Sequence, residues 1–382
     1  MIFFISILVV LLSLKPVYAE TVEEIINLAK LYNPDIKRIE KEVEVLKQKS
    51  KTAGRLPNPS FSFSIKDSGN FTVFQYIPWY EKLQLQKEIE EKRYESQMIL
   101  LKQEKSKILR QIIENALYIQ FYREKIAINN QALELIDNIL HGSITETDKS
   151  KLLIFKTGLV LENQDLKLLV SKLISDIRVL VNYDIKDVEI KPFNLQEIDQ
   201  EELREKVKKF SLSVKYIEKQ IERDRLSYKL AKEIFMPDFG ISVTYKSKDR
   251  FQDAFSMGVN LYVNVPVWKR LNQEQIVLEQ KLQLIASEEK RVNVINQTIW
   301  SLDKLIQEYN YSKEKLKLVE SSIKTYETDL NLTVHNFLNG KETINNLLYT
   351  ISENISIKNR KNQEILSATL SFFKILEIFG EI

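Results

Sequence analysis

A chain of 382 residues with 56 basic residues, 53 acidic residues and two histidines carries a formal charge of +3 and has no cysteine. That excludes disulfides, thiolate metal sites, cysteine nucleophiles, a lipidated N-terminal cysteine and a histidine-rich zinc site within one chain. The near-balance of charge leaves no overall basic field for nucleic acid, and only eight glycines and eight prolines beside 29% charged residues point to long amphipathic helices, not to a doubly wound sheet.

Ile2 to Leu14 is almost wholly apolar and is followed by Lys15, Pro16 and Val17-Tyr18-Ala19. This reads as a secretory signal peptide over residues 1–19, with a small-x-Ala cleavage site and Glu20 as the first mature residue. The apolar run is too short to span a bilayer, and no later stretch is long and apolar enough. If the exported chain enters a membrane, it must do so as a β-barrel, because open strand edges are not tolerated in lipid.

The rest of the chain is one unit written twice. Ile39-Glu40-Lys41 returns as Ile217-Glu218-Lys219, an offset of 178 residues that also carries Ala53 to Ala231, Pro59 to Pro237 and Phe61 to Phe239. Pro78-Trp79 answers Pro266-Val267-Trp268, and Gly142-x-x-Thr145-x-x-Asp148 answers Gly340-x-x-Thr343-x-x-Asn346. The first repeat is expected over 20–181, with strands about 59–77 and a helical tip about 140–145. A linker containing Pro192 follows over 182–199. The second repeat takes 200–382, with strands about 238–266 and a tip about 338–343. Each copy opens with a helix, about 21–53 and about 200–234.

The strands are clearest in the second copy. Phe255, Met257, Val259, Leu261, Val263 and Val265 alternate with small or polar residues, as do Phe239, Ile241, Val243 and Tyr245. Phe61, Phe63 and Ile65 alternate with serines, whereas Phe71 to Ile77 is less regular. One apolar and one polar face fits a barrel with lipid outside and water inside; alternation alone fits a soluble hairpin half-buried on a core equally well. Export, and the absence of a core-forming partner region, favour the membrane. Pro59, Pro78, Pro237 and Pro266 flank the strands and mark where ladder pairing stops.

Two helices are expected from about Tyr80 to Leu140 and from about Trp268 to Leu338, about 90 and 105 Å long at 1.5 Å per residue. Ile108, Ile112, Ile119, Tyr122, Ile126, Leu133, Ile136 and Leu140 in the first, and Ile295, Ile299, Leu302, Ile306, Tyr309, Leu316, Ile323, Tyr326 and Leu330 in the second, recur by threes and fours. That is a coiled-coil seam, with Asn115 and Asn129 falling on it. The fold class is therefore mainly α with a small β part: long antiparallel α-hairpins plus four strands.

This ordered set, together with Thr21-Val22-Glu23-Glu24, Leu28-Ala29 and Asn33-Pro34, resembles the outer-membrane efflux protein (TolC-like) family over essentially all of 21–380. The resemblance implies a homotrimer whose chains close a 12-stranded β-barrel in outer-membrane lipid and continue it into a periplasmic α-helical tunnel. It implies an exit duct for efflux or type I secretion, joined to an inner-membrane transporter by a periplasmic adaptor (membrane fusion) protein. Physical chemistry also asks for oligomerisation, since four strands cannot close a barrel and small barrels begin near about eight; it does not choose the number three. The chain departs from larger relatives in its short linker and in having almost nothing after Gly380.

No phosphate loop or nucleophile motif is present, so neither an enzyme nor a bound cofactor is expected. The tips carry the candidate adaptor-contact and gating residues: His141, Gly142, Thr145 and Asp148 in one, His335, Gly340, Thr343 and Asn346 in the other. Gly142 and Gly340 are expected to end one helix in the left-handed conformation. Thr145 and Thr343 are expected to cap the next, with Asp148 and Asn346 at the capping-box position. Relatives constrict the tunnel with acidic residues early in the last helix; Asn345 and Asn346 stand there in this chain. A trimer would gather six imidazoles at one end, a candidate for pH tuning or metal binding. Lys246, Asn260 and Asn264 are the barrel-lumen candidates. The alternative is an exported coiled-coil scaffold without a channel.

Overall fold

The computed structural model describes residues 20–64, 69–142, 144–190, 194–246, 256–265 and 270–382. The expected signal peptide, Ser143, Pro192 and the segment Pro266-Val267-Trp268 lie outside them. The elements are β1 (Glu20–Thr21), α1 (Val22–Tyr32), α2 (Pro34–Thr52), β2 (Ser60–Ser64), β3 (Asn70–Ile77), α3 (Tyr80–Leu140), α4 (Glu146–Val181), β4 (Val188–Glu189), α5 (Gln200–Phe210), α6 (Leu212–Lys232), β5 (Asp238–Lys246), β6 (Ser256–Asn264), α7 (Arg270–Leu338) and α8 (Ile344–Phe379), with a short 3₁₀ turn at Glu233–Phe235. The order helix pair, strand pair, long helix, helix occurs twice. Among the described residues no helix is long and apolar enough to cross a membrane.

Each opening helix is broken, where the sequence suggests one continuous helix. Pro34 has no amide to donate and disfavours helical geometry in the residue before it, and Asn33 takes φ −59°, ψ 124°. Asn33 then serves both sides of the break: its N–H donates to Ala29 O at 3.0 Å, and its Oδ1 accepts from Ile36 N at 2.8 Å. In the second copy Ser211, with ψ 133°, makes the matching break.

The chain divides into two compact units. One comprises the described residues of Met1–Lys37 together with Glu104–Arg204 and Trp300–Ile382. Its core gathers Ile25 and Ala29 of α1, Ile112, Ala116 and Ile119 of α3, and Ile177 and Val181 of α4. The parallel pair β1–β4 joins Glu20 to Val188. A second cluster packs Ile136 and Ile139 of α3 with Leu152 of α4 and with Leu347 and Ile351 of α8. Asn129 is fully buried on the α3 seam and donates to Asn163 Oδ1 at 3.1 Å, so this seam position is a specific polar contact.

The other unit comprises Arg38–Gln103 and Glu205–Ile299. It holds an antiparallel sheet in the order β2-β3-β5-β6. On α3 and α6, Lys92 reaches Glu222 and Lys219 reaches Glu95, both at 3.0 Å. Each lysine also bonds the glutamate three residues further along its own helix. The hydrogen bond to Glu222 is the main reason the Lys92 ammonium is held above its ordinary 10.5. Burial pulls Lys219 down, yet its bonds to Glu95 and Glu222 outweigh this and raise it. Burial pushes both glutamates up, and the two lysines outweigh it and hold them below 4.5.

Candidate functional site

Register assigns every strand residue to a face. One row joins Phe61, Val73, Val243 and Val259; the next joins Phe63, Phe71, Tyr245 and Met257. With Ile241, Leu261, Phe239 and Val263 these form a single apolar face, and Phe63, Met257 and Leu261 are 68%, 73% and 76% exposed. The opposite face carries Ser60, Ser62, Ser64, Asn70, Thr72, Ser242, Thr244, Lys246, Ser256, Asn260 and Asn264. All three lumen candidates thus lie on one polar face: Asn260 donates to Ser242 Oγ at 3.3 Å, Asn264 faces Asp238, and Lys246 stands between Asn70 and Ser256.

The irregular alternation of β3 has a local cause. Phe74 and Tyr76 occupy the polar face. Phe74 sits over Gly240, where a Cβ would come 2.7 Å from its ring, and meets Tyr262 edge-on with centroids 5.6 Å apart. Gln75 falls on the apolar face but turns its amide to Pro57 O at 2.8 Å. Glycine at 240 is therefore a packing requirement, met by the lack of a side chain.

Sequence reasoning missed Asp238. Its carboxylate accepts from the Tyr76 hydroxyl at 2.6 Å, from Trp79 N at 3.0 Å and from Lys82 Nζ at 2.9 Å. One side chain at the start of β5 thus fixes the end of β3 and the start of α3. Its position straight after Pro237 was a signal, but its partners lie more than 150 residues earlier.

At the helical tips the expected threonine caps are present. Thr145 Oγ1 accepts from Asp148 N at 3.2 Å, and Thr343 Oγ1 accepts from Asn346 N at 3.3 Å. Neither tip shows the reciprocal half of a capping box: Asp148 Oδ2 accepts from the Thr145 hydroxyl at 2.7 Å, and Thr343 N donates to Glu342 Oε1 at 3.1 Å. The full box is at Thr21–Glu24.

The two tip glycines do different work, contrary to expectation. Gly340 has φ +71°, and Lys341 N donates back to Asn336 O at 2.8 Å, which is the Schellman closure. Gly142 does not take positive φ. A Cβ there would lie 3.2 Å from Ile139 O and 3.4 Å from Leu338 Cδ2, so Gly142 admits the end of the other long helix.

His141 is bonded to Asp137 O through Nδ1 at 2.6 Å, and His335 Nε2 is 3.1 Å from Asn339 Nδ2. Each imidazole is thus engaged at the end of its own helix, and the described residues hold no metal-ligand cluster. His141, Thr145, His335, Gly340, Thr343 and Asn346 are exposed, and Asp148 is half-buried. Between the tips, Lys151 Nζ donates to Asn345 Oδ1 at 3.0 Å.

No family model and no curated protein sequence matches the chain. Solved structures match it in fold. A membrane protein from Pseudomonas aeruginosa has a TM-score of 0.80 at 10% identity, over 94% of this chain and 91% of that one. The CmeC outer membrane channel of Campylobacter jejuni has a TM-score of 0.76 at 12% identity, over 94% and 85%. The open-state MtrE outer membrane channel of Neisseria gonorrhoeae has a TM-score of 0.77 at 10% identity, over 94% and 88%. The chain therefore has the fold of TolC-like outer-membrane channels.

Proposed function

We propose that this chain is one of three identical subunits of an outer-membrane exit duct. Four strands from each of three chains, twelve in all, close a barrel in outer-membrane lipid, and the helices extend it through the periplasm. The exposed tips meet a periplasmic adaptor, which couples the duct to the inner-membrane transporter of a tripartite efflux or type I secretion system. The cargo is small molecules, ions or protein, and the chain itself is not an enzyme.

The observation that carries this reading is the sheet. It has a strongly exposed apolar face, a polar face, and two strands, β2 and β6, each paired along one side only among the described residues. An open edge in lipid costs several kcal/mol per unpaired backbone group, and joining β6 of one chain to β2 of the next removes every edge. Likeness to channels named as outer-membrane proteins supports the same compartment.

The test is expression with the native signal peptide, fractionation of the envelope, and electrophoresis of the outer-membrane extract unheated and crosslinked. A heat-sensitive trimer in that fraction is the expected result. A soluble periplasmic monomer or dimer would refute the barrel and leave a coiled-coil scaffold.

A further inference from the structure

The polar face of the sheet is almost free of charge. Its described residues are serine, threonine, asparagine, glycine and aromatic side chains, with two ionised exceptions, Asp238 and Lys246. These two differ in state. The Asp238 carboxylate is bonded to Lys82 at 2.9 Å and takes two further donors, Tyr76 and Trp79, so its charge is compensated in place. Lys246 is exposed and has no ion-pair partner among the described residues. Its cross-strand neighbours, Asn70 and Ser256, are neutral.

The two also lie at opposite ends of β5. Asp238 begins the strand beside the helices, and Lys246 ends it eight residues on, about 27 Å away at 3.3–3.4 Å per residue. By sequence the flanking segments 65–68 and 247–255 add Lys66, Lys248 and Arg250 against Asp67, Asp249 and Asp253, three of each sign, so they contribute no net charge.

We infer that Lys246 is a selectivity determinant: in the assembled duct three copies form a cationic ring at the outer mouth that favours anions over cations. This rests on the channel reading above. Rings of basic side chains select anions where the pore around them is neutral, and lumen substitutions in barrels tune selectivity. A mouth walled by low-dielectric strands focuses the field of such a ring. The Debye length is about 10 Å at 0.1 M salt, so the preference is strongest in dilute electrolyte.

The experiment is single-channel recording of the purified full-length protein in planar bilayers across a potassium chloride gradient. Wild type is expected to reverse on the chloride side, more strongly at low salt. Lys246→Gln should move the reversal potential toward zero, and Lys246→Glu should carry it to the potassium side. Lys246 is exposed at a strand end, so both variants should assemble, which an unheated gel of the trimer checks. A reversal potential that is the same in wild type and Lys246→Glu, with unitary conductance intact, overturns the inference and leaves the channel standing. Absence of conductance steps in the wild-type protein refutes the channel itself, and the lysine assignment falls with it.

Discussion

Lys151, in the first turns of α4, donates to Asn345, in the first turn of α8, at 3.0 Å. The two residues are 194 positions apart and belong to different helical hairpins, so this bond ties one tip to the other. Its acceptor is a neutral amide. Replacing it with a carboxylate, Asn345→Asp, makes an exposed ion pair worth about 0–1 kcal/mol and adds one acidic group per chain, at the tip that opens α8. The expected outcome is a small gain in the thermal midpoint and a duct that conducts less in its resting state. Lys151→Ala should raise resting conductance. Equal conductance in all three forms would show that the tips do not hold one another shut.

The contrast between the tip glycines sets a second test. At Gly340 the left-handed backbone is the constraint, so Gly340→Ala should cost about 1–2 kcal/mol whatever the free space around it. At Gly142 the nearest obstacle to a Cβ is the Ile139 carbonyl oxygen at 3.2 Å, with Leu338 Cδ2 on the other side at 3.4 Å, so Gly142→Ala should cost less, and Leu338→Ala in the same chain, by letting the new methyl shift away from the carbonyl, should recover part of the loss. Midpoints of thermal unfolding for the four forms check this. An equal cost at both glycines, with no rescue, would contradict the geometry.

The sheet gives adjacent residues opposite tolerances. Val259 lies on the apolar face, 63% exposed, and Asn260 lies on the polar one. A lysine at a lipid-facing midplane position costs about 2–4 kcal/mol. Val259→Lys should therefore abolish the membrane-inserted trimer, while Asn260→Lys should assemble normally. Equal tolerance would exclude the barrel.

The four-charge contact of Lys92, Glu95, Lys219 and Glu222 predicts a pH window. The glutamates titrate below 4.5 in the folded chain, so their contribution is full above that value and disappears as pH falls through the lowered range. The lysines titrate above 10.5, so theirs is full below that value and is lost only as pH rises through the raised range. All four groups are partly exposed, which limits the network to about 1 kcal/mol. Glu95→Gln with Glu222→Gln should lower the thermal midpoint at neutral pH and make no difference once acid has protonated the wild-type carboxylates. A difference that persists in acid would refute the ionic account.

What the sequence exposed was whatever depends on local period. The apolar residues that recur by threes and fours from Ile108 to Leu140 lie within α3 and run to its last residue, and α7 ends at Leu338. Strict alternation likewise placed β5 and β6. Less legible were features set by a distant partner. Phe74 and Tyr76 break the alternation of β3 because their partners are on β5: Phe74 covers Gly240 and Tyr76 donates to Asp238. Asp238 looked like a residue after a proline until Tyr76, Trp79 and Lys82 surrounded it. Gly142 resembles Gly340 in its motif, and their roles separate only in the folded backbone, which takes positive φ at Gly340 and not at Gly142. The break at Asn33 was readable from Pro34; the one at Ser211 has no proline to announce it.

The central pairing of the sheet, β3 with β5, has a consequence for how the protein is made. Asn70 pairs with Lys246, 176 positions later. At about 5–20 residues per second of synthesis, roughly ten to thirty seconds pass before the partner strand exists. Through that interval Phe61, Phe63 and Phe71 stand on a hairpin that can neither widen its sheet nor reach lipid as a closed surface, and such unpaired edges aggregate. The nascent chain is thus open to pairing with its own kind until its second half arrives, and the helices do not close that interval: α7 and α8 follow all four strands in the chain, and α3 waits for α8 to complete the core around Ile136 and Ile139.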